Sequence, residues 1–222
     1  MQLRIHSEGW VYFIISCLIT IVIIPFFTIL GIILLILSIY IFYFFRDPIR
    51  AIPSDDVVVS PADGVVTFIG ESNCPLENNS DPNKYKKISI FLSIFDVHVN
   101  RMPIDAEISS INYIPGKFLN ATLDKSSKEN ERNIIYAKKN NENFYIVQIA
   151  GLIARRIVCN LNNNQEVQRG QRIGIIKFGS RVDLYIPENY NILVAKGQRV
   201  VGGETIISNP NNIQNIKTSI LK

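Results

Sequence analysis

A long stretch without charged side chains sets the first constraint on how this chain folds. Residues 11–45 contain no Asp, Glu, Lys or Arg. As one straight helix they would span about 52 Å, well beyond the roughly 30 Å hydrocarbon core of a bilayer. Pro25 lies near the middle of the stretch, and proline removes an intrahelical hydrogen bond and bends a helix. We therefore expect a helical membrane hairpin, or a re-entrant pair, formed by Val11–Ile24 and Ile29–Phe45.

Cationic residues lie on both sides of this hydrophobic segment. Arg4 precedes it, and Arg46 and Arg50 follow it. The positive-inside tendency then favours the cytoplasmic face for both ends, so residues 1–10 form a short cytoplasmic lead and residues 46–222 a cytoplasmic domain. A cleaved signal peptide is the alternative, but the apolar run far exceeds a signal sequence and no small-residue cleavage site follows it. We expect the anchor to be retained.

The rest of the chain, residues 46–222, is long enough to bury its own core. It contains many short alternating segments separated by turn signals, among them 87–94 continued by 96–103, then 106–114 and 152–158. An Asn-rich hairpin turn is expected at 139–143, and one helix-like or irregular polar stretch at 117–132. Gly170-Gln-Arg-Ile is repeated as Gly197-Gln-Arg-Val, which resembles the paired hairpins of biotinyl/lipoyl-type sandwiches, although Lys125 is poorly placed for a swinging arm. The pattern predicts an all-β sandwich or barrel with little helix.

Composition narrows the classes of function. The three cysteines, Cys17, Cys74 and Cys159, have no metal-ligand spacing, which indicates reduced thiols in a cytosolic compartment and no metal site. The net charge of +4 is spread along the chain, without a basic stripe carrying aromatic residues. Nucleic acid is therefore a poor candidate partner, whereas attraction to an anionic membrane surface fits the hydrophobic N-terminus.

A Gly-Ser step interrupts the strand pattern near the end of the chain. In residues 173–186 the apolar run ends at Phe178, and alternation resumes after Ser180 in the manner of a half-buried strand. Glycine within a strand pattern marks a bulge or a close approach, because it reaches positive φ without steric penalty. The simplest interpretation is a bulge with a solvated serine.

Three polar residues, each at an irregularity of the pattern, form a candidate catalytic set. His98 is the one imidazole in residues 46–222, and Asp63 lies between Ala62 and Gly64. With Ser180 they match the arrangement in which His accepts the Ser proton and Asp fixes the imidazole tautomer. A structural histidine and a turn aspartate are the alternatives. The Gly-x-Ser-x-Gly elbow of many hydrolases is missing.

Five motifs in order resemble one family. They are Ser60-Pro-Ala-Asp63-Gly64, Phe95-Asp-Val-His98-Val-Asn-Arg101-Met-Pro103, Asn130-Glu-Arg132-Asn133, Gly151-Leu-Ile-Ala-Arg155-Arg156 and Lys177-Phe-Gly179-Ser180-Arg. Together, from about Phe45 to about Pro187, they resemble the phosphatidylserine decarboxylase proenzyme family in its short membrane-anchored form.

The resemblance implies a precursor that cleaves itself between Gly179 and Ser180. Residues 1–179 would become the β subunit and 180–222 the α subunit, with Ser180 converted to a pyruvoyl group. That covalent carbonyl would serve as the electron sink for decarboxylation of phosphatidylserine to phosphatidylethanolamine and CO2, with no external cofactor. His98 would act as the base of self-cleavage and later as a proton donor, oriented by Asp63, and Arg132 would bind the substrate's phosphate or carboxylate.

One departure from the family pattern leaves roles open. Longer bacterial relatives have a second histidine three positions after the first, where this chain has Arg101, so His98 would serve both reactions or Arg101 would hold an anionic substrate group. The resemblance places the protein at the cytoplasmic face of a bacterial inner membrane. Another serine-headgroup lipid as substrate, a membrane-tethered β-sandwich adaptor without activity, a membrane hydrolase using intact Ser180, and homo-oligomerisation all remain open.

Overall fold

The computed structural model describes residues 4–76, 81–117, 129–151, 156–177, 179–209 and 219–221. It divides into two compact units, residues 1–49 and residues 50–222.

The first unit is a pair of helices, α1 (Ser7–Ile23) and α2 (Thr28–Phe44), separated by a turn that contains Pro25. The two helices are joined by hydroxyl contacts: Ser16 Oγ lies 2.5 Å from Ser38 Oγ, which lies 3.3 Å from Thr20 Oγ1. The expected break near Pro25 is confirmed. Most of the large apolar side chains on both helices are exposed. No helix within the described ranges is both long and apolar enough to cross a membrane.

The second unit consists mostly of β-strands, which confirms the all-β expectation. The strands are β1 (Ala51–Pro53), β2 (Val58–Val59), β3 (Gly64–Asn73), β4 (Lys84–Leu92), β5 (Val99–Arg101), β6 (Ala106–Ile114), β7 (Arg132–Lys139), β8 (Glu142–Ala150), β9 (Arg156–Cys159), β10 (Glu166–Val167), β11 (Arg172–Lys177), β12 (Ser180–Pro187), β13 (Asn191–Ile192), β14 (Arg199–Val200), β15 (Ile206–Asn209) and β16 (Ser219–Leu221).

The largest sheet has eight strands in the order β10-β6-β7-β8-β12-β4-β3-β14 and curls like a half-barrel. Two three-stranded sheets, β5-β11-β9 and β13-β15-β2, and the pair β1-β16 complete the strand pairing among the described residues. All pairings between these strands are antiparallel. Strand β12 lies inside the eight-stranded sheet, with β8 on one side and β4 on the other.

Both faces of β12 are covered, so the expectation of a half-buried strand is wrong. Val182, Leu184 and Ile186 enter the main apolar core, and Tyr185 packs in a second cluster on the opposite face. The charged residues that alternate with the apolar ones, Arg181 and Asp183, are also buried, and their opposite charges are paired. Asp183 lies 2.9 Å from Arg181 and 3.1 Å from a lysine of β4.

Two turn predictions can be followed in detail. The Asn-rich turn at 139–143 joins β7 to β8, with Asn140 and Asn141 at φ of 47° and 63°, as two-residue hairpins require. In the repeated Gly-Gln-Arg segments, Gln171 and Gln198 each accept a hydrogen bond from the backbone three residues earlier. The repeat is therefore a recurring turn that precedes a strand.

Other boundaries differ from the sequence expectation. Residues 96–103 do not continue the strand at 87–94, because β4 ends at Leu92 and β5 belongs to a different sheet. Most of the irregular stretch at 117–132, including Lys125, lies outside the described residues, as do residues 152–155 of the strand expected at 152–158.

Candidate active site

The Gly179-Ser180 step lies where the chain passes from one sheet to another. Strand β11 of a three-stranded sheet ends at Lys177, and β12 of the eight-stranded sheet begins at Ser180. Gly179 has φ of +52°, and a Cβ added to it would meet no heavy atom within 4 Å. Glycine is therefore required here for its backbone conformation and not for lack of space. The expected positive φ is confirmed.

The Ser180 side chain is buried, so the solvated serine of the simplest interpretation is wrong. Its exposed fraction is 0%, and its Oγ has no hydrogen-bond partner within the described part of the chain. The ladder aligns Ser180 with Ala150 on β8 and with Leu92 on β4. A buried hydroxyl normally has a partner, so an unpaired one is a candidate reactive group.

His98 lies beside the strand that leads to this serine. Its carbonyl accepts a hydrogen bond from Ile176 N (3.3 Å) on β11, and its side chain is completely buried. The imidazole Nδ1 is 3.0 Å from the carbonyl oxygen of Asp96. Because a carbonyl oxygen only accepts, Nδ1 carries the proton in the neutral ring and Nε2 carries the lone pair that a general base needs.

Asp63 was predicted to fix the imidazole tautomer, whereas in the structure the Nδ1 atom of His98 contacts the carbonyl oxygen of Asp96. The Asp63 carboxylate accepts two hydrogen bonds from Arg50 Nη2, at 2.7 and 2.9 Å, and one from Gly202 N at 2.8 Å. A residue 13 positions upstream thus neutralises Asp63. Burial nevertheless raises the pKa of Asp63, since desolvation outweighs the opposing effect of Arg50.

Asp96 is a site residue that the sequence reasoning missed. Its Oδ2 accepts hydrogen bonds from both N and Oγ of Ser93, each at 2.8 Å, and its other carboxylate oxygen pairs with Arg199. These contacts fix the turn before His98 and so fix the carbonyl that holds the imidazole. The Ser-x-x-Asp spacing at 93–96 was the available signal.

The two arginines predicted to bind substrate, Arg101 and Arg132, lie in different environments. Arg101 is 2% exposed, and its Nη1 donates to the carbonyl of Gly170 at 2.9 Å. Part of its guanidinium therefore holds a turn of the protein. Arg132 begins β7, is partly exposed, and lies opposite Ile149 of β8. Their roles towards a substrate remain predictions.

The described ranges contain no group of three His, Cys, Asp or Glu side chains placed to hold a metal ion. A carbonyl group derived from Ser180 itself would need no such ligands. The observation that fits it is the buried Oγ at the start of β12, adjacent to the Gly179 carbonyl.

Comparison with known proteins agrees with the motifs. A family model described as phosphatidylserine decarboxylase matches residues 37–208. A protein of Pelagibacter ubique (strain HTCC1062) is 50% identical over 209 residues, covering 92% of this chain and 96% of its own length. One from Ehrlichia chaffeensis is 50% identical over 208 residues (92% and 91%), and one from Rickettsia prowazekii 47% over 206 (92% and 89%). Each is named phosphatidylserine decarboxylase proenzyme.

Proposed function

This chain belongs to the phosphatidylserine decarboxylase proenzyme family, and from that membership we propose that it cleaves itself at Gly179-Ser180 and then decarboxylates phosphatidylserine to phosphatidylethanolamine. The observation that carries the proposal is the buried, unpartnered Ser180 hydroxyl, within the described residues, next to a glycine at φ of +52°.

Self-cleavage begins with the Ser180 hydroxyl. Its Oγ attacks the Gly179 carbonyl carbon, the Gly179–Ser180 C–N bond breaks, and an ester replaces the amide. His98 takes the hydroxyl proton through Nε2 and passes it to the leaving amine. Loss of the Ser180 Cα proton then breaks the Cβ–Oγ bond and releases the Gly179 carboxylate. Water replaces the nitrogen, which leaves as ammonia, and residue 180 ends as a pyruvoyl group.

The pyruvoyl group supplies an electron sink for loss of CO2 from the bound amino acid headgroup. The protein's own residues hold the reacting groups in position and supply the proton. The ladder to β8 and β4 holds position 180, and His98 donates the proton that replaces CO2, since an imidazole can both accept and donate a proton. Arg101 and Arg132 are proposed to hold anionic headgroup oxygens.

We also propose that the helical pair anchors the protein at the cytoplasmic face of the bacterial inner membrane. The support is the exposed apolar surface of both helices and the cations near their ends, Arg4 and Arg46. A substrate that cannot leave the bilayer requires an enzyme that stays at its surface. A protease-protection assay on right-side-out and inverted vesicles tests this placement. Protection of residues 60–222 in inverted vesicles would contradict it.

Denaturing mass spectrometry of the purified protein tests the proposed function. We expect two chains, 1–179 and 180–222, with no free amine at the start of the smaller one. Ser180→Ala should abolish both cleavage and activity, and His98→Ala should leave largely uncut precursor. An intact wild-type chain that lacks activity would favour a membrane-tethered adaptor, and an intact chain that hydrolyses esters would favour a serine hydrolase.

Assays with phosphatidylserine and with an archaeol-type serine lipid test which lipid backbone the substrate's serine headgroup is attached to. We expect turnover of phosphatidylserine. Turnover of the archaeol-type lipid alone would reassign the substrate and leave the cleavage chemistry unchanged.

A further inference from the structure

Three buried amide side chains form a hydrogen-bonded chain between the sheets. Asn133 Nδ2 donates to Gln148 Oε1 at 3.0 Å, and Gln148 Nε2 donates to Asn100 Oδ1 at 2.8 Å. Asn100 and Gln148 have an exposed fraction of 0% and Asn133 of 2%. The neighbouring inward-facing positions of β8, Ile146 and Ala150, belong to the main apolar core. Burying a polar side chain at such a position costs free energy for every polar atom that is left without a hydrogen bond.

The chain of amides has a direction. Because Gln148 uses its oxygen to accept from Asn133, it presents its NH2 group to Asn100. Asn100 must then turn its oxygen towards Gln148 and its Nδ2 away. That Nδ2 is buried and has no hydrogen-bond partner among the residues described in the structure. A buried amide donor without a partner is rare in native proteins and requires an explanation.

The chain of amides passes next to the reactive serine on the same face of the sheet. Ser180 pairs with Ala150, and Val182 with Gln148, so Ser180 and Gln148 are diagonal neighbours on one face of the sheet. Such neighbours are about 7–8 Å apart, within reach of long side chains. Asn100 lies at the far end of the Gln148 side chain and pairs through its backbone with β11, the strand that leads to Ser180.

We propose that Asn100 Nδ2 donates a hydrogen bond to an anionic oxygen of the serine headgroup, its carboxylate or its phosphate, and that Gln148 is the positioning residue that holds this amide in orientation. The inference rests on the proposed function. An amide suits the task because it donates strongly to an anion in a buried site and adds no ionisable group that competes for the protons moved there.

Asn100→Asp tests the donor, because it replaces NH2 by oxygen at nearly constant shape. We expect normal cleavage at Gly179-Ser180 and a KM for phosphatidylserine in detergent micelles raised at least about tenfold, as for loss of a hydrogen bond to a charged group. Gln148→Leu should raise KM by about threefold, since Asn100 remains but is no longer oriented. Asn112→Asp, which alters an exposed amide on β6, is the control and should leave cleavage and KM unchanged.

Inhibition by phosphatidylethanolamine, which keeps the phosphate and lacks the carboxylate, distinguishes the two oxygens. Weaker inhibition of Asn100→Asp identifies the phosphate, and unchanged inhibition the carboxylate.

A wild-type KM in Asn100→Asp would overturn the inference while leaving the proposed function intact. A parallel fall in cleavage, melting temperature and activity would assign Asn100 a structural role and would also overturn it. If Asn100→Asp does not fold, the same KM measurement is made on Asn100→Ser, which keeps a shorter donor. Failure of both variants to fold counts against the inference. A wild-type protein that neither cleaves itself nor decarboxylates would refute the proposed function together with the inference.

Discussion

Replacing Arg50 by Met would leave the Asp63 carboxylate buried without its cation. The side chains of Arg50 and Asp63 are 9% and 16% exposed, and the guanidinium reaches both carboxylate oxygens. Removing one partner of a buried pair destabilises proteins by about 3–5 kcal/mol. Because Gly202 N still donates to Asp63, we expect the lower end, about 3 kcal/mol at pH 8.

The pH dependence of this loss has a defined sign. Burial already raises the pKa of Asp63, and loss of Arg50 raises it further, because the guanidinium favours the ionised carboxylate. A folded-state pKa above the unfolded value penalises the folded state wherever the group is ionised in both states. The penalty fades as pH falls through the folded-state pKa, since Asp63 then takes up a proton. The difference between Arg50→Met and its parent should therefore shrink between pH 8 and pH 5.

Urea unfolding of the detergent-solubilised precursor measures this effect, with Ser180→Ala as the parent so that the chain stays uncut. The control is Lys139→Met, which breaks an ion pair whose partner, Asp56, is 57% exposed, and which should lose at most about 1 kcal/mol. Equal losses in the two variants would refute the reasoning. So would a loss for Arg50→Met that grows as pH falls.

Three further changes have outcomes set by local geometry, each measured by urea unfolding in the same parent. Gly179→Ala should keep the fold and lower the free energy of unfolding by about 1–2 kcal/mol, the penalty of a left-handed residue where no atom obstructs Cβ. Gly64→Ala should prevent folding, because its Cβ would lie 2.1 Å from the Phe91 carbonyl oxygen; a folded variant would contradict this. Asp81→Asn should lose about 2 kcal/mol at pH 7. Although burial opposes it, hydrogen bonding led by Tyr85 lowers the pKa of Asp81 to about 2, so the loss should persist to about pH 4 and shrink only below it.

Local patterns in the sequence predicted much of the fold. The break at Pro25, the strand at 106–114, the Asn140-Asn141 turn and the glycine with positive φ before Ser180 all follow from backbone preferences of neighbouring residues. Burial of both faces of β12 does not follow from such preferences. The alternation along the strand predicts that Arg181 and Asp183 face solvent. In the structure they are paired with each other and covered by a second cluster formed by distant strands.

The site shows the same limit. Ser180, His98 and Asp63 were predicted as a set because each stands at an irregularity of the sequence. Their partners were not, since Arg50 reaches Asp63 across a strand and the imidazole is held by a backbone carbonyl, which any residue at position 96 would supply. Side-chain type in a sequence indicates what a group can do, whereas hydrogen bonds to backbone atoms depend on the path of the chain.

The position of the proposed cut explains how the fold would survive it. Residues 180–187 pair with β4 at eight positions and with β8 at six, so the start of the smaller piece is held on both sides by strands of the larger one. Further along, β14 pairs with β3 and β15 with β2. A break at 179 removes only the connection between β11 and β12, which belong to different sheets, and leaves every ladder in the eight-stranded sheet intact. Cleavage at this position therefore requires no loss of core packing around β12.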